Sequence, residues 1–221
     1  LADTVDPADL APRARIRDAA LRLYAEHGMR ATSIRMVADE AGVSPGAVMH
    51  HFRSKEALAE SVQEVVLARI RQVVGGVGLD LAPHVAANAR RRAFDQLIID
   101  NPYIAGYIRQ AHLECGPAGL ALFSESYRLV AQEMQALIDA GIARPLPDPE
   151  VGLVLYRALH TIHIVLGPLI EQLLDVDLTD PVTLARFRAA AVDLLVNPVF
   201  AGTSDVGQLE GEQADPLGPV G

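Results

Sequence analysis

The sequence holds one cysteine, Cys115, and one lysine, Lys55; its other eighteen Lys/Arg positions are arginine. A single thiol cannot close an internal disulfide, which excludes a disulfide framework and fits a reducing cytosol, so a cytoplasmic location is expected. Long apolar runs are missing: the stretch 162–170 contains His163, Gly167 and Pro168 and is too short to cross a bilayer, so no membrane role is expected. No strand-like alternation is present. Nor is there a Ser-His-Asp set, a paired carboxylate, a Gly-rich phosphate loop or a cofactor motif, so neither an enzyme nor a cofactor is expected. The first ten residues are acidic rather than basic, which is not the pattern of a signal peptide. The chain begins with Leu, and its native start is expected upstream.

An excess of basic charge is absent from the whole chain, whose net charge is −9. The charge is unevenly spread, however. Residues 11–60 carry eight Arg/Lys against six Asp/Glu, a net of +2, while residues 61–221 carry −8 and the first ten −3. Phosphate contacts act locally under salt screening, so the whole-chain charge does not weigh against DNA binding by that segment.

What is present is a period of 3.6 throughout, which reads as all-α. Ser44-Pro45, Asn101-Pro102, Asp148-Pro149 and Asp180-Pro181 repeat one start signal, a polar N-cap followed by proline at the first helical position. The pattern predicts nine helices, at about 12–27, 33–40, 45–51, 54–73, 84–99, 102–114, 118–139, 149–173 and 181–195. The glycines at 75, 76 and 78, before Pro83, mark a joint. The organisation read from this is an N-terminal arm (1–11), a helix-turn-helix domain (12–56), a connecting helix and joint (57–83), a ligand-binding and dimerisation domain (84–196) and a tail rich in Gly, Pro and acid (197–221). By composition the tail is expected to be disordered or an arm laid on a surface.

The pair at 33–51 has helix-turn-helix form. Ile34, Val37, Ala38 and Ala41 make one apolar face, Gly42 permits a left-handed turn and Ser44 caps the second helix. Val43 and Val48 have the spacing of a hydrophobic staple. Val48 and Phe52 face the core while Met49 and His50 point outward. An ordinary αα-hairpin without a DNA role has the same spacing.

Residues 13–58 (RARIRDAALRLYAEHGMRATSI, then MVADEAGVSPGAVMHHFRSKEAL) resemble the DNA-binding head of the TetR (tetracycline-repressor) family of bacterial regulators. The resemblance implies an N-terminal three-helix head on a helical body, with double-stranded operator DNA as partner and a homodimer as the working form. Thr32 and Ser33 look like phosphate-contacting caps. Ser44, Pro45, Gly46, Ala47, Met49 and His50 fall on the exposed side of the recognition helix, and His51 and Lys55 match the family's histidine before phenylalanine and its lysine at the next helix start. A helix N-terminus beside an ammonium attracts phosphate, which agrees for Lys55. Met49 stands where the family commonly has tyrosine; it cannot donate to phosphate but can touch a thymine methyl. That leaves Arg35 and His50, with DNA shape, to supply specificity. Arg13, Arg15, Arg17 and Arg22 meet phosphates or form a solvated helix face, with Arg13 favoured for contact because it precedes the packed helix.

The segment 149–173 is apolar nearly all round and must be buried all round, which calls for a second subunit. The dimer is expected through helices about 149–173 and 181–195. Polar residues scattered in the body (Tyr103, Tyr107, His112, Tyr127, Arg157, His160 and His163) are candidates for a pocket holding a small hydrophobic or aromatic effector. His112, Cys115, His160 and His163 raise the question of a metal, but no local spacing supplies a third and fourth ligand, so none is assigned. The function expected is that of a dimeric repressor released by its effector. Two alternatives stand: control by a protein partner, or a helical small-molecule carrier or enzyme with a vestigial head.

Overall fold

In the computed structural model, residues 7–78 and 80–196 are described; residues 1–6 of the arm and the tail from 197 onward lie outside the described residues. The architecture is all-α. Its helices are α1 (Pro7–Ala31), α2 (Ile34–Ala41), α3 (Pro45–His51), α4 (Lys55–Gly75), α5 (Pro83–Asp100), α6 (Pro102–Glu114), α7 (Pro117–Asp139), α8 (Pro149–Val165), α9 (Gly167–Leu174) and α10 (Pro181–Val196). The chain divides between Val176 and Asp177 into two compact units, with α1 to α9 in one and α10 in the other. The boundary does not fall at the glycine-rich joint, because α1 packs on α6 and α4 on α5 across it.

Two expected boundaries shift. The first helix begins at Pro7 rather than 12, and Pro7 sits at its start, where a missing donor is harmless. Its axis breaks at Gly28, which has φ 82 and ψ 163. The segment 149–173 becomes two helices, because Leu166 leaves helical geometry and Pro168 cannot continue the ladder; α8 and α9 meet at a bend of 68°.

Three of the four polar-proline starts are side-chain capped: Ser44 Oγ accepts from Ala47 N, Asp148 Oδ1 from Val151 N and Asp180 Oδ2 from Thr183 N. Asn101 is the exception. Its amide turns back to donate to Leu97 O at 2.9 Å, closing the end of α5 instead of capping α6.

The core runs from the head into the body as one cluster. Ile16, Ala19, Ala20 and Tyr24 of α1 meet Val37, Val48, Phe52 and Leu58, and the cluster continues through Ile104, Ile108 and Leu122 to Ile164. The α1–α6 contact depends on Gly106, where an added Cβ would lie 2.9 Å from Ala25 Cβ and 3.0 Å from Ala25 O. A glycine there lets two helix backbones approach closely.

Candidate nucleic-acid interface and effector cavity

The head is built by three capped helix starts. Ser33 Oγ accepts from Met36 N at 3.2 Å, Ser44 Oγ from Ala47 N at 3.1 Å and Ser54 Oγ from Ala57 N at 3.1 Å. Gly42, at φ 65, makes the left-handed turn between α2 and α3. Val48 is fully buried and Val43 packs against the core, as a staple requires. These contacts fix α3 with one side outward: Ser44, Pro45, Gly46, Met49 and His50 are exposed, and Ala47 and His51 are half-buried. Arg35 on α2 and Arg53 in the α3–α4 turn are exposed. Arg53, outside the set expected from sequence, directly follows the H-H-F run.

Three expected phosphate contacts look different in place. Thr32 is 1% exposed and its hydroxyl donates to Gly28 O at 2.7 Å, so its side chain closes the end of α1 and does not reach the surface. Arg13 is half-buried, its guanidinium 4.8 Å above the Phe52 ring, a cation–π placement that fixes the side chain at the foot of α3. Lys55 Nζ donates to Arg30 O at 3.1 Å, which ties the start of α4 to the end of α1. Its ammonium has two further protons. Of the other arginines on α1, Arg22 pairs with Glu40 of α2 at 2.8 Å.

In the body, α4, α5, α6, α7 and α8 surround a cavity of about 320 Å³. Leu67, Ile70, Phe94, Ile108, Leu122 and Leu129 give it an apolar wall. Of the seven sequence candidates, His112, Arg157 and His160 line it and four do not. Tyr107 is wholly buried on the other side of α6, near Tyr24 and Glu114, where burial raises its phenol above the usual range. Tyr103 is 44% exposed, and Tyr127 and His163 lie off the cavity wall. The residues not anticipated come from α5: Arg90, Arg91, Phe94 and Asp95. Their signal was the arginine triplet at 90–92 beside the apolar positions of one helix.

Hydrogen bonds hold the polar wall. Arg91 Nη1 donates to Tyr156 OH at 3.2 Å and also meets His160 Nε2. His160 Nδ1 faces Tyr156 O at 2.8 Å, and His112 Nδ1 faces Ile108 O at 2.7 Å. A ring that donates from Nδ1 to a carbonyl leaves Nε2 as an acceptor. Burial lowers both imidazoles, with Arg157 and, for His160, Arg91 pushing the same way. Burial brings Arg157 down to about 10, and His163, behind them, to about 4.

The helix α6 serves both regions. Ile108 and His112 face the cavity, while Gly106 seats Ala25 of α1. At its end, Glu114 Oε1 accepts from Arg30 N at 2.9 Å and Glu114 O from Arg30 Nη2 at 3.1 Å. Gln110 Nε2 donates to Glu26 O at 3.4 Å.

Fold and site together define an all-helical protein with an N-terminal helix-turn-helix and a helical body that carries a cavity open to solvent. Residues 16–62 match the family described as bacterial regulatory proteins, tetR family. The chain is 30% identical over 115 residues to the HTH-type transcriptional regulator UidR of Escherichia coli K12, covering 46% of this chain and 59% of UidR. It is 39% identical over 72 residues to the HTH-type transcriptional repressor KstR2 of Rhodococcus jostii, covering 31% and 35% of the two chains. Among solved structures, the fatty acid degradation regulator FadR from Bacillus halodurans superposes with a TM-score of 0.66 at 16% identity, over 89% of this chain and 98% of that one. The chain spans about three-fifths of the length of the first curated relatives it matches. The head of the protein, residues 16–62, is thus a tetR-family domain.

Proposed function

We propose that the protein is a transcriptional regulator whose head holds operator DNA and whose grip is set by a small molecule in the body. The observation that carries this is the double duty of α6, whose Ile108 and His112 line the cavity while Gly106, Gln110 and Glu114 hold α1. A ligand that reshapes the cavity wall displaces α6, and α1 moves with it. It changes DNA affinity to the extent that it binds the two arrangements unequally. In this reading the protein is a repressor, as the KstR2 relative is by name, and the effector releases the DNA.

The working form is a homodimer. Along α8 and α9, Val151, Val154, Leu155, Ile162, Leu169 and Leu173 are exposed in the single chain, Leu173 at 82%. A contiguous apolar face of that kind is an interaction surface. A two-fold partner there sets two recognition helices on a palindrome. The expected contribution of residues 181–195 concerns α10, in the other unit.

The test is a gel shift of the full chain on the DNA upstream of its own gene, backed by genome-wide selection of bound fragments. Salt-sensitive, sequence-specific binding is the expected result. Its absence in both assays sinks the regulator reading and leaves the carrier alternative.

A further inference from the structure

The five arginines on the cavity wall are Arg71, Arg90, Arg91, Arg128 and Arg157, against three carboxylates, Asp95, Glu125 and Glu133. In a chain of net charge −9, this cavity gathers an excess of two positive charges beside an apolar wall. Three of the arginines are spoken for: Arg90 pairs with Glu133 at 3.0 Å, and Arg71 and Arg128 share Glu125 at 2.6 and 3.0 Å. Asp95 has an interaction of its own.

The inner two differ. Arg91 meets the neutral groups Tyr156 and His160 and, at 3.4 Å, Asn88 Oδ1, and its Nε lacks a hydrogen-bond partner. Arg157 is 7% exposed, lies 6.0 Å over the Phe123 ring, and its Nε is likewise unpartnered. A buried guanidinium with an unmade hydrogen bond is costly unless something supplies the acceptor. Arg157 is still charged at neutral pH, and the two cavity imidazoles, lowered by burial, add little competing charge.

We infer that the cavity takes an amphipathic organic anion, a monocarboxylate whose head meets Arg157 and Arg91 and whose apolar body lies along Leu67, Phe94, Ile108 and Leu122. This rests on the cavity being the effector site, and it adds an anionic head to the small hydrophobic or aromatic effector expected from sequence. Carboxylate oxygens match the guanidinium fork, which a hydroxyl or an ester does only in part. The volume sits at the low end of ligand pockets, about 300–1,000 Å³, and suits one small amphiphile.

Isothermal titration of the full chain tests it, with octanoate and 4-butylbenzoate as probes, each beside its primary alcohol. At least one carboxylate is expected to bind about tenfold or more tighter than its alcohol, as a charge-assisted hydrogen bond provides. Arg157→Met is expected to bring that ratio toward one while alcohol binding persists. If circular dichroism finds Arg157→Met unfolded, Arg91→Met takes its place with the same expectation. Equal or tighter binding of the alcohols, no binding of either carboxylate, or an unchanged preference in the folded variant overturns the inference. Specific DNA binding without a carboxylate preference sinks this inference alone. A carboxylate preference in a chain that binds no operator sinks the regulator reading alone.

Discussion

Lys55 is placed for two roles in the head. Its ammonium holds the carbonyl of Arg30, and it stands at a capped helix start where phosphate is attracted. These roles separate experimentally. Lys55→Ala is expected to weaken binding to all DNA sequences alike and to reduce the slope of log affinity against log salt by about one unit. A lower melting temperature with an unchanged slope would assign the lysine to the Arg30 contact alone. Met49, exposed on α3, gives the complementary test. Met49→Tyr supplies a donor for phosphate and is expected to tighten binding irrespective of sequence, read by gel shift on operator and scrambled DNA. His163 belongs to stability. Its folded value of about 4 lies below the ordinary 6.5, so the unfolded chain takes up the proton first. Stability is therefore complete above pH 6.5 and declines as the pH falls toward 4, by up to about 3 kcal/mol from this one group. His163→Gln is expected to flatten that decline in thermal melts across the same range.

At the scale of elements, the proposed coupling through α6 can be tested at its contact with α1. Glu114→Ala removes the acceptor of Arg30 N without touching the cavity wall. It is expected to keep ligand affinity and fold while reducing the ligand-induced change in DNA affinity by about 0.5–2 kcal/mol, a range typical of coupling positions. An unchanged ligand response would show that the coupling runs elsewhere. The starts of these helices were legible because polar caps and prolines act locally: Ser44, Asp148 and Asp180 do what their spacing implies. Asn101 was misread because an amide can donate as well as accept, and a partner in the preceding helix won. The cavity was harder to read. Tyr107 and Ile108 are neighbours in sequence but about 100° apart around the helix, and only the packing of α1 decides which faces the body. His163 lies about 4.5 Å further along α8 than His160, past the end of the cavity. Arg91 could not be found from α8 alone, since its role depends on the approach of α5.

For the molecule as a whole, the apolar face of α8 and α9 predicts the assembly. Leu155→Glu with Leu169→Glu places charges on residues 60% and 64% exposed in the single chain, so the subunit should fold. Self-association is expected to weaken by about tenfold or more, seen as monomer in analytical ultracentrifugation, with operator affinity falling in step. A dimer that survives the double substitution would place the interface elsewhere. The close seat of Ala25 on Gly106 bears on how such proteins diversify. Recombination that joins a foreign head to this body transplants α1 without α6. The graft is viable when the incoming residue at the Ala25 position is no larger than alanine and an amide remains for Glu114 to receive. Exchange of heads between such bodies is therefore expected to succeed only where both sides of this seam are kept.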